Sequence, residues 1–571
     1  MTQELLNYFN GDTMASQVWW DKYALQDTEV TPDDMHKRLA KEYARIEVKY
    51  CRLPEEDFHY EKLSEYGKTR ADYHSAVGQM TENPKDLAAL SYVEQFEKDI
   101  YNLFKDFKYI IPAGSVMANL GKDTPTSLSN CFVLGQPKDN IESIFNYSRD
   151  SAQLFKRRGG VGIDLSLLRP NGAGVKNASN SSTGPISFMN IYDATTKTIG
   201  QDGRRAALML SLDIRHPDSP EFVRCKEDKS KITAANISLK IGKDFMEAVA
   251  KDEDFILRFP VEQDLSYFSE NYLECPYNTM IYLEDHKRNN EVFYIKRIKA
   301  KELWNSICQH AHDDAEPGII FEDNHLEYDP AAVYPDYKPV TTNPCGEIFM
   351  GPKDSCRLSA INLYSFVDQP FSKTPSIDFE KLYEVSYEQL VLSDDLVDLE
   401  IEAIDRILDK INPTYLNEFV RYNEVAKHLF TKQQSEEFKL WWEIRENGRK
   451  GRRVGNGFTA LGDMIAAMNL KYGSDESLEL IQSVLHTKMQ AELDASIDLA
   501  ILRGSFDGFN PDLEYISTQK MGGVSISGTN TFYDTIYQMF LTQVDRMRQY
   551  GRRNISISTV APTGTVNNLA A

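Results

Sequence analysis

From Tyr109 to Val560 the chain keeps changing its hydrophobic period, and this alternation restricts its fold more than any other feature. Short apolar runs at 109–112, 131–134, 161–165, 206–212, 236–241 and 555–560 are bounded by Gly, Pro, Asn and Ser, the punctuation of strands. Between them, 140–157, 187–199 and 378–411 carry apolar residues at helical spacing. Strand–helix alternation on this scale predicts an α/β architecture, as an open sheet or a barrel, and periodicity does not separate the two. Residues 1–108 read instead as a helical domain. Thr31-Pro32-Asp33-Asp34 supplies a hydroxyl cap, a proline at the first helical position and acids in the first turn. Met35, Leu39, Tyr43 and Ile46 then mark one apolar face, and a further helix is expected over 87–107. Two polar stretches, 432–437 and 448–457, read as a loop and an exposed connection.

The charge balance narrows the possible partners. With 64 basic and 86 acidic residues the net charge is −22, whereas a general nucleic-acid surface needs a basic excess to replace counterions. A small phosphate site needs only local N–H groups and a cation or two, so nucleotide binding stays open. No basic segment followed by an apolar run opens the chain, and no apolar stretch is long enough to cross a membrane. Seven cysteines without regular spacing do not form a disulfide framework. The expectation is a cytoplasmic protein that binds neither membrane nor nucleic acid.

Cys51, Cys225, Cys275 and Cys308 sit in helical or charged contexts, where an incidental thiol is the default. Three others have unusual neighbours. Cys131 follows Ser127-Leu128-Ser129-Asn130 and opens an apolar run, and Cys356 follows the turn Gly351-Pro352-Lys353-Asp354. Cys345 lies in Asn343-Pro344-Cys345-Gly346-Glu347. If this segment is extended, residues i and i+2 share a side, so an amide, a thiol and a carboxylate face one ligand. From the local pattern alone, a structural turn around a buried thiol remains the stronger reading.

Other segments also have two readings. Gly159-Gly160-Val161-Gly162-Ile163-Asp164 suggests a dinucleotide loop but lacks the spacing and the acidic partner. Ile555, Ile557 and Thr559 alternate as in a strand, and Ala561-Pro562-Thr563-Gly564-Thr565 then turns into an expected helix. That turn suits a phosphate or is simply a connection. Asp139 reads most simply as a helix cap. His310 and His312 read as a helix ending rather than a metal site, so no metal is expected. The acids from Asp394 to Glu402 read as a solvated helix face.

Taken in order, these segments resemble the catalytic subunit of ribonucleotide reductases. Asn343-Pro344-Cys345-Gly346-Glu347 resembles the finger loop of that family, placed at about 341–350. Ser129-Asn130-Cys131-Phe132-Val133-Leu134 and Cys356-Arg357-Leu358-Ser359-Ala360-Ile361-Asn362-Leu363 resemble its two redox-cysteine strands. Arg157-Arg158-Gly159-Gly160-Val161 through Leu168-Arg169-Pro170 resembles the approach to the first specificity loop, and Gln201-Asp202-Gly203-Arg204-Arg205 the second. Ser182-Thr183-Gly184-Pro185 opens a helix, and Ala561-Pro562-Thr563-Gly564-Thr565 resembles the phosphate loop. Each motif is weak singly; the ordered set is specific.

The resemblance implies a ten-stranded α/β barrel over 109–571, with its last strands missing, behind the helical domain 1–108. It implies reduction of ribonucleotides, as diphosphates, to 2′-deoxyribonucleotides. Cys345 then matches the thiyl-radical position, Glu347 the general base on the 3′-hydroxyl, and Asn343 the amide that orients the ribose hydroxyls. Cys131 and Cys356 match the pair that becomes a disulfide. Ser115, Ser129 and Asn130 match positions near substrate, and Ala561, Pro562, Thr563, Gly564 and Thr565 the phosphate site. Asp139, Asn140, Ile141 and Arg169 match a deoxynucleotide or ATP effector site at a dimer interface, with Gln201 to Arg205 relaying effector identity. A thioredoxin- or glutaredoxin-type reductant and a homodimer are further implications.

Pro344, Gly346 and the segments 451–464, 487–504 and 550–565 look most like adenosylcobalamin-dependent members, without an ATP-binding helical cone at the start. The runner-up draws its radical from a separate metal-containing subunit. Only six residues follow Thr565, which suggests a fragment that needs a C-terminal partner and is inactive alone. A non-catalytic nucleotide-binding relative is the rival from another class. Retention of Cys131, Cys345, Cys356 and Glu347 favours enzyme ancestry.

Overall fold

The computed structural model of the chain describes residues 2–51, 59–81, 87–175, 181–199, 206–260, 280–285, 291–414, 434–514 and 543–570. Cys275 and the second specificity segment, including Gln201 and Arg205, lie outside the described residues. Two compact units divide the chain. One comprises Met1–Asn130, Val333–Pro335 and Ser355–Ala571, and the other Cys131–Ala332 and Asp336–Asp354.

The first unit begins with helices, as expected. Helix Pro32–Tyr50 follows its N-cap Thr31, and Asp34 accepts from the N–H groups of Val30 and Thr31 at 2.9 and 3.1 Å. Met35, Leu39, Tyr43 and Ile46 all point into the core, beside Trp19, Phe104 and Leu396. The change of texture at residue 109 coincides with strand Ile110–Pro112. This strand runs antiparallel to Asp354–Asn362, which pairs in parallel with Val454–Thr459.

Four expectations for this unit are corrected. The run 555–560 is not a strand. Only Ser558 forms a bridge, to Asn456, because the pairing slips: Val454 N–H donates to Ser556 O and Asn456 N–H to Ile557 O, an advance of one residue where a parallel ladder needs two. The stretch 448–457 is no exposed connection, and Gly451 to Gly457 are buried. Gly448–Gly451 completes helix Glu436–Gly451, whose N-cap is Ser435, so 436 and 437 are helical rather than loop. The acids of helix Phe379–Ile411 are no solvated face, since Asp394, Asp395 and Glu400 are fully buried. The two surprises share a cause. Arg452 pairs with Asp394 at 2.7 Å and with Asp398 at 2.8 Å, so charges that looked solvated neutralise one another inside.

The parallel sheet of the second unit is built from five strands: Cys131–Gly135, Gly160–Asp164, Leu208–Asp213, Ala235–Ile241 and Gly318–Phe321. Each pairs in parallel with the next in chain order. Near-continuous burial of the first four explains why the sequence shows apolar runs there instead of alternation. Helices Ile141–Phe155 and Gly184–Thr198 intervene, with Pro185 in the first turn of the latter. The architecture is thus α/β, with a helical N-terminal region. No described helix is long and apolar enough to cross a membrane.

Candidate active site

A short hairpin in the second unit presents the central segment. Thr341–Thr342 pairs antiparallel with Phe349–Met350, Thr342 lying opposite Phe349. The five residues from Asn343 to Glu347 form a turn, closed by Gly346 N–H donating to Asn343 O at 3.1 Å. Gly346 has φ +81°, where a side chain would be strained, and open space surrounds it. The expected extended segment is therefore corrected: a turn of this size cannot hold three side chains at period two. Asn343 is fully buried and Cys345 is exposed at the tip.

The turn nevertheless joins the amide and the carboxylate. Asn343 Nδ2 donates to Glu347 Oε2 at 2.7 Å, and Ile348 N–H donates to Asn343 Oδ1 at 3.3 Å. Cys131 Sγ points at Glu347 Oε1 from 3.9 Å. Burial pushes the Glu347 carboxyl above its usual range, against the backbone, Asn343 and Cys131 hydrogen bonds that lower it. Loss of hydration and the nearby Glu347 carboxylate push the Cys345 thiol up to about 11. At neutral pH Cys345 is therefore S–H, a hydrogen-atom source rather than a thiolate nucleophile.

The sheet is shaped to admit this hairpin. At Gly162 a Cβ would lie 1.9 Å from Thr342 O, so only glycine lets the stem pass. Gly160-Val161-Gly162 is strand and not a dinucleotide loop, as the sequence suggested. Asn236 Nδ2, which sequence reasoning missed, donates to Pro344 O at 3.3 Å. The available signal was a glycine inside a strand pattern, which marks close backbone approach.

The remaining residues fall into separate groups. In the first unit Cys356 is fully buried on Asp354–Asn362, against Gly455, where a Cβ would meet its Sγ at 2.6 Å. Ser115 Oγ donates to Asn130 Oδ1. Glu400, misjudged as solvated, accepts from Ser127 Oγ and Leu128 N–H, both at 2.6 Å, and so ties down the loop that carries Ser129. After Ala561 and Pro562, Thr563 is the N-cap of a short helix, Gly564–Asn567. Thr459 Oγ1 donates to Asn567 Oδ1 at 2.8 Å, and Tyr23 and Thr565 share a hydrogen bond of 2.7 Å.

In the second unit Asp139 is not a helix cap; that role falls to Asn140, whose side chain accepts from Ser143 N–H at 2.8 Å. Asp139 instead takes Arg169 Nε at 2.6 Å and Arg169 N–H at 3.1 Å. Ile141 beside them is exposed. His310 bonds Glu227 at 3.0 Å and Ser306 O at 2.8 Å.

The fold and site together define an α/β protein with a thiol, a carboxylate and an amide on one hairpin beside a parallel sheet. Residues 129–570 match the family described as "Ribonucleotide reductase, barrel domain", and the chain belongs to the ribonucleotide reductase family. It is 27% identical to the vitamin B12-dependent ribonucleoside-diphosphate reductase of Thermoplasma acidophilum, over 97% of this chain and 62% of that one. A protein of the same description from Mycobacterium tuberculosis is 27% identical, over 81% of this chain and 51% of its own length. The ribonucleoside-diphosphate reductase large chain of Cryptosporidium parvum is 25% identical, over 81% and 52%. The chain thus spans between half and two thirds of the length of these relatives.

Proposed function

We propose that this chain performs the reductive chemistry of ribonucleotide reduction, converting a ribonucleoside diphosphate to its 2′-deoxy form. The hairpin that joins Glu347 to Asn343 and Cys131, with a protonated Cys345 at its tip, carries this reading. As a thiyl radical, Cys345 takes the ribose 3′ hydrogen and becomes S–H. Glu347 accepts the 3′-hydroxyl proton while Asn343 orients the hydroxyls. The 2′-hydroxyl leaves as water, and two thiols, assigned to Cys131 and Cys356, supply two electrons and become a disulfide. Cys345 then returns its hydrogen to C3′. A thioredoxin- or glutaredoxin-type dithiol restores the pair for the next turnover.

Ser115, Ser129 and Asn130 are assigned to the substrate. Ala561, Pro562, Thr563, Gly564 and Thr565 are assigned to its phosphates, since Pro562 and Gly564 are exposed at a helix start. Asp139, Asn140, Ile141 and Arg169 are assigned to the deoxynucleotide or ATP effector, in a homodimer. The Asp139–Arg169 contact supports that grouping.

Adenosylcobalamin is the proposed cofactor, as in the names of the Thermoplasma and Mycobacterium relatives. The exposed Cys345 and the open space at Gly346 fit a bulky group brought to the thiol. When bound, the cofactor supplies the radical. The relative named a large chain favours a second reading, in which a partner subunit supplies it.

The test is deoxynucleotide formation from CDP or ADP with adenosylcobalamin and dithiothreitol. Turnover that disappears in Cys345→Ala supports the first reading. Turnover that needs an added subunit and no cobalamin supports the second. Undiminished turnover in Cys345→Ala refutes both.

A further inference from the structure

Two strands of two residues each cannot hold a loop rigid, since a hairpin of this size is marginal in water. The Cys345 hairpin is instead gripped from outside, and both grips lead to helix Glu322–Tyr328. On the first stem, Thr341 Oγ1 lies 2.7 Å from Ser211 Oγ. Ser211 Oγ also reaches Asp164 Oδ1 at 3.3 Å. Because a carboxylate oxygen can only accept, Ser211 donates to Asp164 and Thr341 donates to Ser211.

Asp164 is fully buried, and its other oxygen takes Lys240 Nζ at 2.9 Å. Lys240 is also buried and reaches Glu322 Oε1 at 2.8 Å, at the start of the helix. On the second stem, Phe349 stacks against His325 of the same helix, with ring centroids 4.9 Å apart and planes 22° apart.

A buried lysine between two carboxylates is weak evidence for stability, because desolvation offsets much of the attraction. What the arrangement does fix is direction. With Lys240 holding one oxygen of Asp164, the other accepts from Ser166 Oγ at 2.6 Å and from Ser211 Oγ at 3.3 Å, and the second of these bonds continues through Thr341 to the hairpin. We propose that Thr341, Ser211 and Asp164, anchored by Lys240 and Glu322, form a positioning relay that sets the height and angle of the Cys345 loop. None of these residues touches substrate; they act through Asn343, Cys345 and Glu347. The proposal rests on the reading of Cys345 as the reacting thiol.

The decisive comparison is Thr341→Val, which keeps the shape and removes the hydroxyl, against Thr341→Ser, which keeps the hydroxyl. Cys345→Ala serves as the control. The relay predicts that Thr341→Val lowers kcat about tenfold or more, as small misplacements of reacting groups do. KM for the nucleotide stays within about twofold, because substrate contacts are unaltered. Thr341→Ser restores kcat. Amide hydrogen exchange at Asn343 and Ile348, which bond each other across the turn, speeds up in Thr341→Val and not in Thr341→Ser, a readout independent of turnover. If Cys345→Ala is inactive while Thr341→Val matches wild type in kcat and exchange, the relay is wrong and the thiol reading stands. If Thr341→Ser is as slow as Thr341→Val, the hydroxyl is irrelevant and the relay is again wrong. If Cys345→Ala turns over, both fall together.

Discussion

Asn343 Nδ2 donates to Glu347 Oε2 across 2.7 Å, tying the two ends of the turn that displays Cys345. Burial raises the Glu347 carboxyl, and the Asn343 bond is one of three that pull it back. Asn343→Leu removes that donor and leaves the carboxyl in place, so its pKa moves further up. The base form then appears only at higher pH. The acid limb of the kcat/KM profile is expected to shift alkaline, whereas Glu347→Gln loses the base and about 10²–10⁴ in rate. An acid limb unchanged in Asn343→Leu would contradict this link.

Cys345 supplies a second pH test. With its thiol raised to about 11 by lost hydration and by Glu347, it is a poor nucleophile at pH 7 despite its exposure. Its alkylation by iodoacetamide, followed by mass spectrometry of the 345 peptide, should accelerate steadily between pH 8 and about 11. Glu347→Gln removes the neighbouring negative charge and should move the curve toward lower pH. A plateau by about pH 9.5 in the wild type, a unit above the usual cysteine pKa of about 8.5, would show an ordinary thiol.

The buried acids Asp394 and Asp395 of helix Phe379–Ile411 are shifted in opposite directions and should lose very different amounts of stability on the same substitution. Burial works to raise Asp394, but Arg452, Arg553 and Arg503 outweigh it and hold this carboxyl below its usual range. Its contribution is complete above the unfolded carboxylate pKa of about 3.9 and is lost as pH falls toward the lowered folded value. Asp395 is pushed well above its usual range by burial and by Glu47, so it folds as the acid. Its contribution is present below the unfolded value and is lost as pH rises through the raised folded one. Asp394→Asn strips charge from three arginines and is expected to cost about 3–5 kcal/mol at pH 7. Asp395→Asn copies the protonated form and should cost under about 1 kcal/mol, while flattening the alkaline loss. Urea midpoints at pH 5 and 8 distinguish the two, and equal losses would refute the assignment.

The same residues show what could be read from the sequence. Helices and parallel strands were legible because burial on one face or on both leaves a period or a run, as in Met35 to Ile46 and at Gly160–Asp164. The site residues were legible through the resemblance, since five residues of turn carry no period of their own. The buried charges were not, because the partners of Asp394 lie 58, 109 and 159 positions away, at Arg452, Arg503 and Arg553. A local window sees an acidic face, and only the fold supplies the cations. The same holds for 448–457, where Gly and Arg look like a surface loop until Gly455 is seen to make room for Cys356.

Gly162 offers the most direct test of how the sheet seats the hairpin. A Cβ there would lie 1.9 Å from Thr342 O, a backbone atom that cannot swing aside as a side chain would. Gly162→Ala therefore has to displace the stem by more than an ångström to restore ordinary contact. Overpacking of this kind costs about 1–3 kcal/mol in stability. The displacement is transmitted to Asn343, the next residue, and from there to Glu347, so turnover should suffer more, by about 10²-fold. Gly346→Ala makes the useful contrast: it meets only the strain of φ +81° in open space, about 1–2 kcal/mol, and drives no backbone into the sheet. Measured side by side at a temperature where both variants remain folded, Gly162→Ala should show much the lower kcat. Wild-type kcat in Gly162→Ala would mean that the stem's seat against the sheet does not set the position of the thiol.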